Sequence, residues 1–174
     1  MKFDKAQSIE ILERTPVVLK TLLSGLDDEW IMSNEGPETF SPFDVIGHLI
    51  HGEKTDWAVR AKIILEFGLS KPFTPWNRFA QYEVSKGKTV EQLLDEFSAI
   101  RKENLQWLKS VDLSENDLEK KGMHPVLGEV TLRNLMTTWV VHDLTHIAQI
   151  TRVMAKQYKD EMGPWPEFFR ILNF

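Results

Sequence analysis

The chain has no cysteine, which excludes disulfides, thiolate nucleophiles and thiolate metal sites. Any metal must be held by histidine and carboxylate. No stretch approaches the roughly 18 consecutive apolar residues of a membrane span, and the start, MKFDKAQSIE, lacks the apolar segment of a secretory signal. A cytoplasmic protein without a membrane partner is the expectation. Positive charge is also in short supply, with 21 Lys and Arg against 26 Asp and Glu and a net charge of -5. Neutralising phosphates takes clustered basic residues, and here they are scattered, so a nucleic-acid partner is not expected. There is no internal repeat, low-complexity stretch, nucleophile elbow or dinucleotide fingerprint. The SKGKT at 85–89 fails as a phosphate loop because Tyr82 stands where that loop needs glycine.

What remains is ordinary for one globular domain: 174 residues, 42% hydrophobic and 27% charged, enough to bury a single core over 1–174 without staples. Ile9, Leu12, Leu19, Leu22 and Leu23 predict a first helix over 8–25, bent or loose at its front because Pro16 lies inside it. Ser41 caps a second, with Pro42 at its first position. Its periodicity runs to Phe67 and predicts one rod of roughly 39 Å. The segment 68–88, rich in proline and aromatics, is expected to fold across the mouth of a bundle. Thr89 and Gln92 form a capping box for a third helix that reads as purely structural, and HPVLGEV suggests a short extended excursion. Thr131 opens a fourth helix reaching Tyr158. Trp165, Phe168, Phe169, Leu172 and Phe174 crowd the end, and are expected to pack back on the bundle or against a second subunit. These elements predict an all-α protein, a four-helix bundle whose topology the connections leave open.

The chemistry concentrates on the fourth helix. His142 and His146 are one turn apart on a stripe with Leu135 and Val153, with Trp139 and Gln149 at its edges, so both rings project toward the core. On the second helix His48 falls in line with Val45, Gly52 and Val59, whereas His51 points elsewhere. A single histidine on an apolar face is more often a hydrogen-bonded core residue than a ligand. Three of five histidines on inward stripes change that balance, because one shared cation satisfies three rings that would otherwise be buried neutral. Three imidazoles suit Zn, Ni, Fe or Co, and leave positions open to water or substrate. Such a site serves metal-assisted hydrolysis, or binds the thiolate of a small thiol cosubstrate. Gly52 reads as room kept beside His48. Gly52, Trp139 and Gln149 are the pocket candidates, Trp139 being equally a core residue. Asp143 is either an outer-layer partner orienting an imidazole N–H or a solvated helix residue. HDLTH also approximates the H-E-x-x-H zinc-peptidase signature with Asp143 in the glutamate's place, an imperfect match. Glu53 and Asp56 offer a general base at the pocket edge but read rather as surface residues of a long helix, and His51 and His124 read as surface residues too.

FDVIGHLIHGEKTDW, HPVLGEVTLRNLM and WVVHDLTHIAQI together resemble the DinB superfamily of metal-dependent enzymes, DinB/YfiT-like proteins, over nearly the whole chain. The resemblance implies a bundle of up-down-down-up connectivity, a divalent metal on His48, His142 and His146, and a homodimer. It implies a small-molecule substrate, in some relatives a low-molecular-weight thiol, without fixing the reaction as S-transfer or hydrolysis. The rival expectation is a non-catalytic dimeric bundle that binds a ligand or partner, with or without metal.

Overall fold

The structure, a computed structural model, describes residues 1–77 and 79–173. Four long helical arms form the bundle: α1 (Lys5–Leu23), a broken arm of α3 (Pro42–Thr55) and α4 (Trp57–Phe67), α6 (Val90–Ser110) and α8 (Leu132–Lys156). Short helices α2 (Asp28–Met32), α5 (Ala80–Ser85) and α7 (Glu115–Leu118) lie in the connections. The expected caps are present: Ser41, Thr89 and Thr131 each close a reciprocal capping box, with Asp44, Gln92 and Asn134. The extended excursion is an antiparallel hairpin of β1 (Lys121–His124) and β2 (Gly128–Thr131), registered His124 to Gly128.

Two buried apolar clusters define the direction of every arm. One gathers Ile9 and Leu12 of α1, Trp57, Ala61 and Ile64 of α4, Leu105 and Leu108 of α6, and the front of α8 at Leu132, Leu135 and Trp139. The other gathers Leu19 and Leu23, Val45 to Ile50 of α3, Leu93 to Phe97, and Ile150 near the end of α8. Read in chain order, α1 runs from the first cluster to the second, α3–α4 and α6 run back, and α8 returns. That is the up-down-down-up topology. It leaves a single connection, 68–89 between α4 and α6, to travel the length of the bundle. No helix among the described residues is long and apolar enough to cross a membrane.

Two details depart from expectation, and a third, the aromatic tail, meets the first of its two alternatives at Leu172. α1 is one continuous helix beginning at Lys5, capped by Asp4. Pro16 removes the amide that would bond the Leu12 carbonyl, and a guanidinium nitrogen of Arg101 donates to that carbonyl at 2.8 Å instead. The second rod is broken at Asp56 (φ -113°, ψ -87°). There Trp57 folds back over the preceding turn, its indole nitrogen 3.1 Å from where a Cβ on Gly52 would lie. Gly52 therefore makes room for Trp57 and Trp76, rather than for His48. At the end of the chain only Leu172 packs back; Trp165, Phe168 and Phe169 remain largely exposed, and Phe174 lies outside the described residues.

Candidate metal centre

His48 on α3 and His142 and His146 on α8 meet between the two helices. Nε2 of His142 is 3.1 Å from Nε2 of His48 and 3.1 Å from Nε2 of His146, and one ligand atom from each of the three falls within 4.8 Å of the others. Nitrogens about 2.0 to 2.1 Å from a common ion, at angles between octahedral and tetrahedral, are separated by about 2.9 to 3.4 Å. The two 3.1 Å spacings about His142 fit that range.

Protonation points the same way. Nδ1 of His146 bonds Oε1 of Gln149 at 2.8 Å. A carboxamide oxygen only accepts, so the proton is on Nδ1 and Nε2 presents a bare lone pair. Burial drives the His142 imidazolium down to a pKa of about 2, reinforced by His146, His48 and Arg101. Burial likewise lowers His146, against the Gln149 bond and the Asp143 charge. Both rings are therefore neutral near pH 7. With Nε2 of His146 bare, no choice of tautomers for His48 and His142 turns both 3.1 Å contacts of His142 Nε2 into hydrogen bonds, and the buried Nδ1 of His142 finds no hydrogen-bond partner among the described residues. A cation at the centre satisfies all three lone pairs, so this donor set fits a divalent metal of the Zn, Ni or Fe kind.

Aromatic rings enclose the triad. Phe40 lies 5.6 Å and Trp76 5.5 Å from the His48 ring, and Trp57 lies 4.9 Å from His142. Trp76 comes from the long crossover, which thereby passes over the site. It also packs 4.4 Å from His51, a half-buried ring whose pKa is lowered by burial and by Lys54.

Beneath the triad lies a polar knot. Arg101 of α6, only 1% exposed, donates to both oxygens of Asp143 (2.6 and 3.0 Å), to Glu53 Oε1 (2.9 Å) and to the Leu12 carbonyl. Glu53 also accepts from Trp139 Nε1 and Asn104 Nδ2, each at 2.9 Å. One guanidinium thus touches all four arms, in the layer between the two apolar clusters. Attraction to Asp143 and Glu53 outweighs the burial that opposes the Arg101 charge and raises its pKa.

Gln149 touches the triad directly, Gly52 stands under Trp76 at its rim, and Trp139 is core, tied to Glu53. Asp143 bonds neither imidazole: both its oxygens are committed to Arg101, and it is fully buried rather than solvated. Glu53 and Asp56 are buried as well, and His124 is half-buried with Nδ1 facing the amides of Val126 and Leu127. Burial raises the Asp56 carboxyl to about 6 despite Arg60 at 3.0 Å. Arg101 had a legible signal, because it occupies an inward position between Phe97 and Leu105 at four-residue spacing where the stripe calls for an apolar residue. A cleft of about 510 Å³ opens between α1 and α6, the two arms that carry none of the triad.

A helical bundle with three converging imidazoles on two facing arms defines the class: a four-helix protein built around a three-histidine cation site. The DinB superfamily model matches residues 11–150, and the chain belongs to that superfamily. It is similar to a solved structure described as "YfiT from Bacillus subtilis is a probable metal-dependent hydrolase with an unusual four-helix bundle topology", with TM-score 0.74 and 22% identity over 91% of this chain and 87% of that one. That likeness establishes the shared fold. No curated protein matches the chain.

Proposed function

We propose that the protein is a cytoplasmic, homodimeric metal-dependent enzyme acting on a small molecule, by hydrolysis or by transfer to a low-molecular-weight thiol. His48, His142 and His146 hold a divalent cation. The observation that carries this reading is the convergence of three imidazoles, with Nε2 of His142 3.1 Å from Nε2 of both His48 and His146 and the His146 tautomer fixed by Gln149. When bound, the cation supplies Lewis acidity for polarising a carbonyl or lowering the pKa of an oxygen or sulfur nucleophile.

The chain's own residues divide the remaining work. Gln149 keeps the His146 lone pair turned inward. Phe40, Trp57 and Trp76 exclude water and favour an apolar or aromatic substrate body. His51, neutral near pH 7 at this rim, accepts and returns a proton. The chain has no cysteine, so in a transfer reaction the thiol arrives with the cosubstrate. Glu53 and Asp143 are withheld from the chemistry by Arg101, which sets aside the zinc-peptidase reading, in which Asp143 would serve as the base.

Metal analysis of protein purified without chelator, combined with a panel of thiol conjugates, esters and amides, tests the proposal. Stoichiometric metal and turnover, both lost in His146→Ala, are expected. Absence of metal under every loading condition refutes it. Metal binding without turnover, with His146→Ala lowering only thermal stability, supports the rival reading of a non-catalytic binding module.

A further inference from the structure

The three ligands come from two helices that no covalent link holds in register. α3 contributes one nitrogen and α8 two. Side-chain ends lie about 5 to 6 Å from a helix axis, so a roll of α8 by about 10° moves an imidazole nitrogen by roughly 1 Å. Metal–ligand distances are satisfied within about 0.2 Å. Something must fix the rotation of α8 relative to α3 more tightly than apolar packing requires. The apolar side chains near the triad, Trp57, Trp76 and Phe40, are rings at 4.9 to 5.6 Å centroid separations, contacts that accommodate sliding.

The residue after His142 is Asp143, whose two oxygens are both held by Arg101, at 2.6 and 3.0 Å. Five residues after His48 is Glu53, held by the same guanidinium at 2.9 Å. The anchor on each ligand-bearing helix is thus gripped by one rigid planar fork, reaching in from α6, a helix that carries no ligand. Its other nitrogen bond, to the Leu12 carbonyl freed by Pro16, pins the fork to α1 as well. Planarity matters here: a guanidinium fixes direction as well as distance, which an ammonium does not.

We infer that Arg101 is a positioning residue for the metal centre, setting the rotation of α8 against α3 through Asp143 and Glu53 so that the three Nε2 atoms converge. This rests on the metal reading of the triad. Arg101 touches no ligand and no substrate; it acts through the two carboxylates. A sequence that needed only stability at this layer is served as well by apolar residues.

Cobalt(II) titration of Arg101→Lys tests the inference, with the visible ligand-field spectrum and the dissociation constant as readouts beside the thermal midpoint of the metal-free protein. The variant keeps the charge and loses the fork. Expected are a dissociation constant weakened by about 10-fold or more and a changed ligand-field spectrum, in protein whose circular dichroism is that of the wild type. Leu93→Ala, fully buried on α6, a helix that carries no ligand, is the control for stability alone and is expected to keep the wild-type spectrum. Should Arg101→Lys not fold, Asp143→Asn, which keeps one acceptor oxygen, is expected to give the same change in smaller degree. A folded Arg101→Lys, or Asp143→Asn in its place, with wild-type affinity and spectrum overturns the inference and leaves the metal reading standing. A wild type that binds no cobalt overturns both.

Discussion

Arg101→Met is the substitution whose cost the structure states most directly. Methionine matches the length of the arginine stem but makes none of its four bonds. Breaking a buried ion pair from one side costs about 3 to 5 kcal/mol, and here one change strips partners from two carboxylates, each with a side chain 0% exposed. The Leu12 carbonyl, already without its helical donor because of Pro16, adds about 1 to 3 kcal/mol as an orphaned buried acceptor. These terms share one network and do not add fully, so a loss of at least about 4 kcal/mol is expected, against a total stability on the order of 5 to 15 kcal/mol. Urea unfolding of metal-free protein, with midpoint and slope fitted separately, measures it. The companion variant Arg101→Met/Asp143→Leu/Glu53→Gln removes both negative charges, while the glutamine oxygen still accepts from Trp139 and Asn104 keeps its bond to the backbone carbonyl of residue 53. It is expected to regain most of the loss, because an apolar replacement of a buried ion pair is often neutral or stabilising. A single variant within about 1 kcal/mol of wild type, or a triple variant less stable than the single one, refutes the description of this layer as a closed ionic knot.

Other expectations follow from single contacts. Gln149→Leu frees the His146 tautomer and should weaken cobalt or zinc binding by about 10- to 100-fold with little change in the metal-free melting temperature, read by competition with a chromophoric chelator. Asp56, with its folded pKa raised to about 6 from 3.8, binds its proton more tightly in the native state, so its contribution to stability falls as pH rises from about 4 to about 6; the stability of Asp56→Asn relative to wild type should climb over that window by up to about 3 kcal/mol, and a flat difference contradicts the burial argument. A Cβ on Gly47 would sit 2.3 Å from Ser85 Oγ, so Gly47→Ala should cost about 1 to 3 kcal/mol by overpacking and be rescued by adding Ser85→Ala, as differential scanning calorimetry would show. If the exposed Trp165, Phe168 and Phe169 serve the proposed homodimer, Phe168→Ser should shift the mass measured by light scattering toward the monomer; an unchanged dimer would place that interface elsewhere.

The triad was legible because periodicity alone puts His142 and His146 on one stripe and His48 on an inward one, and the caps at Ser41, Thr89 and Thr131 are local signals that tertiary structure leaves intact. Topology was not legible from periodicity, since an apolar face does not say which neighbour it meets; it came from the family resemblance, and the two apolar clusters show it. The knot escaped because its members look like surface residues one at a time. Glu53 is an acidic residue on a long helix, and Asp143 sits beside a histidine, so each reads alone as a solvated group or as a partner for a ring nitrogen. Only the pairing across α3, α6 and α8 makes their burial affordable; Asp56, outside the knot, is buried against Arg60 instead. The continuity of α1 through Pro16 belongs to the same lesson, because the donor that replaces the lost amide is 89 residues away along the chain.

The lone crossover that spans the bundle divides the molecule in an informative way. Everything before it carries His48, and everything after it carries His142 and His146, so neither half owns a complete set of donors. A backbone cut in the turn at 86–88, where Gly87 takes a positive φ, creates two fragments that regain the centre only by reassembling. Ion capture would then serve as a reporter of the two pieces finding each other.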